Sequence, residues 1–403
     1  MRGAFIVLER VASRADAPGG GPTPLERARR PHLDRLAREG MLGLARMPAQ
    51  DLGPGADLAH AAFLGQDPRR CLAARAPIEA TADGVPVKPG AVVFRLDLVA
   101  TWDRKLVDAA PAARDADDAR ALLAALSAAS WLGAKEKDLA LHPGPLDRHF
   151  LTWDGWPDSL PVPETTPPEA AAGKPLAASF PRGSGAERLV DLMMRSTPIL
   201  AGHAINKKRT QAGRPPANQV WLWGAGQAAA FPKLAERRPG GLRGAAISPS
   251  AYVRALASVS GLGVVPVAAV PGTGAEAEPA VVGAVALGAL ATHDLVYVHV
   301  AAPADVAART AAIERIDAGV VGPIVAALEA ARKPFRVLVA ADRATSLASR
   351  GPAPDPVPFV LFGTGVAARR GTGFSEAAAL ETQGRVEPTA AGDLVGLVLG
   401  TSR

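Results

Sequence analysis

Cysteines, long apolar runs and an excess of one charge are all scarce in this chain of 403 residues. The one cysteine, Cys71, excludes a disulfide framework and a metal cluster made of cysteines alone, and it fits a reducing compartment. The longest apolar tract, Pro279 to Thr292, is shorter than the roughly 20 residues of a membrane span. The apolar run before Glu9 is also too short for a signal peptide. We therefore expect a soluble, cytoplasmic protein with no membrane partner.

Charge gives little indication of a nucleic-acid partner. The 45 basic and 39 acidic residues are spread along the whole chain, so the net charge of +6 describes a mixed surface and not a basic arm. A hydrophobic fraction of 48% is typical of a globular protein. The length is enough for about two or three structural units.

Short apolar runs alternate with helical patterns along most of the sequence. Predicted strands lie at Phe5–Leu8, Val220–Trp223, Ala245–Ile247, Val264–Val267, Leu295–Val300, Phe335–Ala340 and Pro358–Phe362. Helical patterns between the later runs include Ser250–Ser260, Ala275–Ala291 and Val306–Arg332. Such alternation implies right-handed crossovers and a parallel sheet covered on both faces. We predict an α/β fold with a doubly wound, mostly parallel sheet.

The composition changes in the middle of the chain and suggests an inserted unit. We expect residues 1–85 and 190–403 to form the α/β core and residues 86–189 to form a smaller α+β domain. Residues from about 154 to 185 are rich in proline, glycine, serine and threonine, which is typical of an extended connector.

Several segments, taken together, resemble the archaeal-type cofactor-independent phosphoglycerate mutases, a branch of the alkaline phosphatase superfamily. They occur in the family's order and cover most of the chain, and it is this order that makes the resemblance specific. The segments are TPLERARRPHLDRLAREG, GPGADLAHAAFLGQDP, ARAPIEA, PGAVVFRLDLV, NKKRTQAGRPPANQVWLWGAG, DLVYVHVAAP, IERIDAGVVGPI and DPVPFVLFG.

The resemblance implies an alkaline phosphatase-like core and a metal-dependent mutase. In active members of the family, two divalent cations, commonly manganese or zinc, activate a serine that takes the phosphoryl group of phosphoglycerate and returns it to the neighbouring hydroxyl. Paired cations neutralise the charge that develops on the attacking and leaving oxygens, so their ligands must be Asp, His or similar donors.

Two of the implied site positions lie in the first 60 residues. The family's first metal-binding aspartate, in an Asp-Gly pair, matches Glu9 followed by Arg10. Its nucleophilic serine matches Ala56, beside a retained Asp57. Alanine has no oxygen that could accept a phosphoryl group.

The family's remaining metal positions also map onto altered residues. An Asp and a His after the Ala-Pro turn match Ala304 and Ala308, although a shift of one residue would offer Asp305 instead. A later Asp-His pair reads Asp342-Arg343. The final histidine of the family's set corresponds to about Pro352.

Two observations do not depend on the alignment. The chain has no histidine after His299, so the histidine ligands of the family's carboxyl-terminal half are missing. It has no serine between Ser13 and Ser127, so the nucleophile cannot be recovered by moving gaps.

The two arginines at metal positions suggest a replacement for the cations. A guanidinium group about 4 Å from a divalent cation would oppose its binding by roughly 8 kcal/mol at an effective dielectric constant near 20. We therefore predict no bound metal, and we assign no catalytic residue. As a hypothesis, one or both guanidinium groups of Arg10 and Arg343 occupy the former metal positions and pair with Glu9 and Asp342.

A further set matches basic or polar positions on the substrate side of the family and is predicted to bind a small phosphorylated ligand. It consists of Asp57, Arg75, Arg95, Arg148, Asn206, Lys208 and Arg209. A surface salt bridge is an equally good interpretation of any one of these basic residues. We expect His299 to be a satisfied core residue, His60 to lie away from the site, and Cys71 to be a buried apolar residue.

Two functional hypotheses follow. The first is a catalytically degenerate phosphoglycerate mutase homologue, without cofactor, that keeps a phospho-anion cleft in a binding or regulatory role. The second is an active enzyme that binds two manganese or zinc ions with unusual ligands around Glu9, Asp57, Asp305 and Asp342. The missing serine and histidines favour the first hypothesis, because the members of such a catalytic unit fail together.

Overall fold

The computed structural model describes most of the chain. The residues outside this description are 17–20, 49–55, 112–114, 134–136, 145–147, 158, 228–229, 239, 268–276, 304, 385–386 and 402–403, together with the side chains of 56 and 57. The described strands are β1 (Arg2–Glu9), β2 (Ala12–Arg14), β3 (Met41–Arg46), β4 (Val92–Trp102), β5 (Lys105–Asp108), β6 (Leu139–His142), β7 (His149–Trp153), β8 (Gln219–Gln227), β9 (Gly244–Ile247), β10 (Gly263–Val265), β11 (Leu295–Ala301), β12 (Phe335–Ala341), β13 (Ala344–Ser346), β14 (Pro352–Ala353), β15 (Val357–Gly363) and β16 (Thr389–Ala390).

Helices separate most of these strands. They are α1 (Pro24–Arg27), α2 (Pro31–Glu39), α3 (Ala56–Phe63), α4 (Pro68–Ala73), α5 (Arg75–Ala82), α6 (Ala116–Ala128), α7 (Pro168–Ala171), α8 (Leu176–Ser179), α9 (Ala186–Ala201), α10 (Ala204–Gln211), α11 (Ala251–Val259), α12 (Pro279–Thr292), α13 (Val306–Ile316), α14 (Gly322–Ala330), α15 (Glu376–Gln383) and α16 (Leu394–Leu399). A π-helical turn at Asp317–Val321 joins α13 to α14. None of the described helices is long and apolar enough to cross a membrane.

The chain divides into two compact units. Unit 1 comprises Met1–Cys71 and Phe231–Arg403, and unit 2 comprises Leu72–Ala230. These bounds differ from the domains expected from the sequence, because α5, α9, α10 and β8 belong to unit 2 and not to the core.

Unit 1 is built on a large sheet with strand order β10-β9-β11-β1-β12-β15-β3-β16. Among the described strands of this sheet, only β15 runs against its neighbours, so the sheet is mostly parallel, as predicted. Residues 3–8 of β1 are all buried. Successive side chains of a strand point to opposite faces, so both faces of this central strand are covered. The α/β fold class predicted from the sequence is confirmed.

Unit 2 is organised around the long strand β4. This strand pairs antiparallel with β8 on one side and with β7 and then β5 on the other. Five of the six tryptophans are buried in its apolar core, which explains how a chain with few aromatic residues fills a second unit. The prediction that Val220–Trp223 is a strand is confirmed, but its placement in the parallel core sheet was wrong.

The proline-rich stretch is not a simple extended connector. It contains α7 and α8, and Glu164 forms an isolated β-bridge with Arg182. Trp156 is buried in the core of unit 2, and the indole of Trp221 donates a hydrogen bond to the carbonyl of Thr166 at 2.8 Å. The prolines and glycines interrupt regular structure here, but the apolar residues between them pack onto the unit.

Candidate functional site

The carboxyl ends of three neighbouring strands, β1, β11 and β12, meet at one edge of the unit 1 sheet. Glu9 ends β1 and pairs in register with Ala301 of β11. Just beyond the strands, Ala302 donates its N–H to the Glu9 carbonyl at 2.9 Å, and Asp342 donates its N–H to the Leu8 carbonyl at 3.2 Å. Parallel pairing therefore brings Glu9 and Asp342 together, as expected for a ligand-binding edge of an open α/β sheet.

Arg10 follows β1 in a left-handed backbone conformation, with φ of 62°. Glycine adopts this conformation without steric cost, whereas residues with a side chain adopt it less often. The Arg10 side chain turns back over the strand ends. Its Nε donates to the Ala302 carbonyl at 2.7 Å, and its NH1 donates to Oε1 of Glu9 at 2.5 Å. The backbone N–H of Arg10 donates to Oδ1 of Asp342 at 2.9 Å.

Arg343 approaches the same two carboxylates from the end of β12. Its NH2 lies 3.7 Å from Oε1 of Glu9, and its Nε lies 3.7 Å from Oδ2 of Asp342. These are ion pairs at distances beyond a normal hydrogen bond. Two guanidinium groups thus flank a single carboxylate oxygen of Glu9.

His299 holds the second oxygen of Glu9. Its Nε2 lies 2.9 Å from Oε2 of Glu9, and its Nδ1 lies 2.8 Å from Oγ of Ser248. The prediction of a buried, satisfied histidine is confirmed. Ser248 was missed, although it directly follows the apolar run of β9, where polar residues reach the same sheet edge.

His60 lies against His299, with ring centroids 4.4 Å apart, so the expectation that it lies away from the site was wrong. Its Nδ1 is 2.6 Å from the hydroxyl of Tyr297, and its buried Nε2 has no hydrogen-bond partner among the described residues. Burial, reinforced by the charge of His299, holds the pKa of His60 well below its usual value. Burial also raises the pKa of Tyr297 well above its usual value. Both side chains are therefore neutral at physiological pH.

The pKa values of the two carboxylates are shifted in opposite directions. Burial raises the pKa of Glu9, but the hydrogen bond and charge of His299 and the charge of Arg10 outweigh burial and lower this pKa to about 2. Asp342 is fully buried, and burial raises its pKa to about 6 despite the nearby charge of Arg343.

The side chains at this edge do not fit the two divalent cations implied by the family. Both carboxylates face guanidinium groups, and Oδ2 of Asp305 accepts the N–H of Ala308 at 3.2 Å as the cap of α13. Ala308 and Pro352 carry no ligand atom on their side chains, Ala304 lies outside the described residues, and so do the side chains of Ala56 and Asp57. Among the described residues, no group of three or more His, Cys, Asp or Glu side chains is arranged to hold a metal.

Unit 2 contains a pocket of about 160 Å³ that brings together three of its polar side chains, Arg75, Arg95 and His149. Arg95 is buried and donates to Glu79 and, at 2.9 Å, to Oδ1 of Asp97. Arg75 pairs with Glu79 at 3.2 Å. Both arginines are therefore paired with carboxylates.

The other predicted ligand-binding residues of unit 2 lie apart from this pocket's lining. Arg148 pairs with Asp83 at 3.3 Å. Asn206 has a structural role, because its Nδ2 donates hydrogen bonds to the backbone carbonyls of Leu200 and Ala217.

Arg209, on the same helix α10, also makes structural contacts. It is 3% exposed, and its NH1 donates to Asp115 at 2.6 Å and to Asp118 at 3.0 Å. Lys208 is exposed to solvent. The single cysteine, Cys71, is buried, and burial raises the pKa of its thiol to about 12, which suits an unreactive side chain.

Solved structures share this architecture. The PH0037 protein from Pyrococcus horikoshii superposes with a TM-score of 0.73 at 22% identity, covering 100% of this chain and 98% of that one. The cofactor-independent phosphoglycerate mutase from Thermoplasma acidophilum gives a TM-score of 0.64 at 24% identity, covering 99% of each chain. At this identity the likeness concerns the fold. The class is an α/β protein built on a large, mostly parallel sheet, with a second unit organised around an antiparallel sheet.

Sequence comparison then defines the family. The model of the 2,3-bisphosphoglycerate-independent phosphoglycerate mutase family matches residues 37–206. The protein of that name from Methanothrix thermoacetophila is 35% identical over 370 residues, which are 90% of this chain and 91% of the relative. The probable 2,3-bisphosphoglycerate-independent phosphoglycerate mutase from Geobacter sulfurreducens is 36% identical over 356 residues, which are 85% of this chain and 86% of the relative. The chain belongs to the 2,3-bisphosphoglycerate-independent phosphoglycerate mutase family.

Proposed function

We propose that this family member does not interconvert phosphoglycerates and instead binds a small phosphorylated ligand in a regulatory or binding role. The observation that carries the proposal is the position of the Arg10 guanidinium group. It bonds to Oε1 of Glu9 and to the Ala302 carbonyl, where the family's reaction needs a divalent cation.

Electrostatics supports the proposal. Glu9 is ionised, but its carboxylate is already paired with Arg10, Arg343 and His299. A divalent cation would have to displace these partners and would meet the repulsion of two guanidinium groups. Asp342 is a second acidic group at this edge, and burial disfavours its charged form.

The sequence supports the same conclusion at the nucleophile. Ala56 is the first residue of α3, and the resemblance to the family matches it to the family's serine. A phosphoenzyme needs an oxygen or a nitrogen nucleophile, which an alanine side chain lacks.

Only part of the ligand set proposed from the sequence is kept in this proposal. Of that set, Arg75 and Arg95 line the unit 2 pocket, whereas Asn206 and Arg209 have structural contacts that account for their burial. We place the protein in the cytoplasm, because its single cysteine suits a reducing compartment.

The alternative is an active phosphoglycerate mutase with unusual ligands. The names of the relatives from Methanothrix thermoacetophila and Geobacter sulfurreducens favour this alternative, because they describe mutases. Such an enzyme would hold manganese or zinc with Glu9, Asp57, Asp305 or Asp342.

A mutase assay distinguishes the two. The purified chain is incubated with 3-phosphoglycerate and manganese, and formation of 2-phosphoglycerate is followed, with the Methanothrix thermoacetophila relative as the positive control. We expect no turnover by this chain, and none by its Ala56→Ser variant, because a restored hydroxyl still lacks its metals. Turnover by the wild-type chain at a rate comparable to the control would establish the alternative.

A further inference from the structure

We propose that Arg10, Arg309 and Arg343 form a metal-free binding site for a phosphoryl dianion, either inorganic phosphate or a phosphomonoester. This inference rests on the proposed function, since it identifies where in unit 1 the phosphorylated ligand binds and what replaces the metals. Arginine suits this role, because the planar guanidinium fork matches the oxygens of a phosphoryl group and always carries its charge.

The guanidinium groups of Arg10 and Arg343 converge on one carboxylate oxygen. The terminal nitrogens of Arg10 and Arg343 lie 2.5 Å and 3.7 Å from the same atom, Oε1 of Glu9. Two cations that share one anionic oxygen form a clamp that already holds an internal anion. A ligand with several anionic oxygens would bind the guanidinium donors that Arg343 contributes to this clamp.

The two arginines of the clamp are more exposed to solvent than the two carboxylates. The side chains of Arg10 and Arg343 are each 23% exposed, whereas those of Glu9 and Asp342 are 13% and 0% exposed. A ligand approaching this edge meets guanidinium groups before it meets carboxylates. Beneath the clamp, the carboxylates hold the arginines in place.

The guanidinium donors of Arg343 have no hydrogen-bond acceptor among the described residues. Its guanidinium group carries five N–H donors, and its two ion pairs at 3.7 Å are too long for hydrogen bonds. Within the described part of the chain, this group makes no hydrogen bond. The donors are thus available to a bound oxyanion.

Arg309 adds a third cation close to the clamp, because it binds the Pro303 carbonyl, next in the chain to the Ala302 carbonyl that Arg10 binds. It is 2% exposed, and its Nε donates to the Pro303 carbonyl at 3.1 Å. Burial lowers the pKa of Arg309, and the charges of Arg10 and Arg343 lower it further, so the three cations lie within one another's fields. A bound dianion would relieve this mutual repulsion.

The test is a titration of the full chain, treated with EDTA, with inorganic phosphate, 3-phosphoglycerate and glycerate in separate calorimetric experiments. We expect phosphate and 3-phosphoglycerate to bind without metal. Glycerate, whose only anionic group is a carboxylate, should bind at least tenfold more weakly. The first two arms show whether the site takes free phosphate, the phosphomonoester or both. Equal binding of glycerate would overturn the phosphoryl assignment.

Variants locate the site. Arg343→Gln should weaken phosphate binding roughly tenfold or more, as expected for the loss of charge-assisted hydrogen bonds, and Arg343→Lys should give an intermediate affinity. Arg315→Gln, a matched control on α13 that removes an exposed arginine, should bind phosphate like the wild type. Thermal unfolding of each variant verifies that it is folded.

The outcomes separate this inference from the proposed function. Phosphate binding that is lost in Arg75→Gln and kept in Arg343→Gln would place the ligand in the unit 2 pocket and overturn the clamp, while leaving a phosphate-binding homologue. Binding that appears only after manganese is added would also overturn the clamp. Mutase turnover would refute the proposed function alone, because Arg343-dependent binding in EDTA would still stand.

Discussion

The backbone N–H of Arg10 donates to Oδ1 of Asp342 at 2.9 Å, which ties the residue after β1 to the residue after β12. This contact holds the left-handed Arg10 at the point where three strands end. The Arg10 side chain is thereby directed onto Glu9 and not into solvent.

Replacement of Arg10 by glycine should improve manganese binding. Glycine accepts the φ of 62° and removes a unit charge, which at about 4 Å and an effective dielectric constant of 20 opposes another unit charge by roughly 4 kcal/mol. We expect the affinity for manganese, measured by calorimetry, to rise at least tenfold. Arg350→Gly is the matched control, since Arg350 is exposed in unit 1 with φ of 58°. An equal affinity in both variants would contradict the role assigned to Arg10.

Asp342 should make the chain less stable as the pH rises. Its folded pKa of about 6 lies above the ordinary value of 3.8, so the folded state holds its proton more tightly, and stability falls as pH rises through this interval. A shift of this size corresponds to about 3 kcal/mol at pH 7. Glu9 behaves oppositely, because its folded pKa of about 2 gives stability above pH 4.5 that is lost on acidification below it.

The measurement for Asp342 is the free energy of unfolding in urea between pH 4.5 and 7, for the wild type and Asp342→Asn. Asparagine keeps an acceptor oxygen for the Arg10 N–H and cannot ionise. We expect the variant to gain stability relative to the wild type as pH rises. A constant difference between the two proteins across this range would show that Asp342 ionises normally.

The His60–Tyr297 pair should be energetically coupled. Tyr297→Phe leaves Nδ1 of the buried His60 without its partner, which should lower the free energy of unfolding by about 1–3 kcal/mol. In the double variant His60→Leu with Tyr297→Phe, the second substitution should cost much less than it does alone. Additive losses in a double-mutant cycle would rule out this coupling.

Arg209 should act in folding and not in ligand binding. Arg209→Ala removes partly buried hydrogen bonds to Asp115, to Asp118 and to the Pro215 carbonyl, and should destabilise the chain by about 1–3 kcal/mol. Lys208→Ala, on the exposed face of the same helix, should change stability by less than about 0.5 kcal/mol. A loss of phosphate affinity in folded Arg209→Ala would restore the ligand-binding interpretation.

The central sheet could be predicted because its strands are continuous apolar runs between helical patterns, which is typical of a parallel sheet buried on both faces. Val220–Trp223 shows the limit of this reasoning. An apolar run predicts a buried strand, but the pairing partner decides its sheet, and β8 pairs with β4 of unit 2. The stretch from 154 to 185 shows a second limit, since a high content of proline and glycine does not reveal that its tryptophan side chain is buried.

At the site, the sequence predicted which residues stand at the strand ends but not all of their contacts. Glu9, Asp342 and the two arginines could be located by the family resemblance, and their ion pairs follow from charge. Tyr297 and Ser248 carried no such signal, because their partners are histidines on α3 and β11 that only the fold brings near. His60 illustrates the same point, since one histidine on a short helix does not indicate which face is buried.

Metal content tests most directly the proposal that guanidinium groups stand where the family resemblance implies cations. The full chain is purified without chelators, dialysed against manganese and zinc, freed of unbound ions and measured by elemental analysis. The account predicts well below one tightly bound divalent metal per chain. Two tightly bound divalent metals per chain would contradict it.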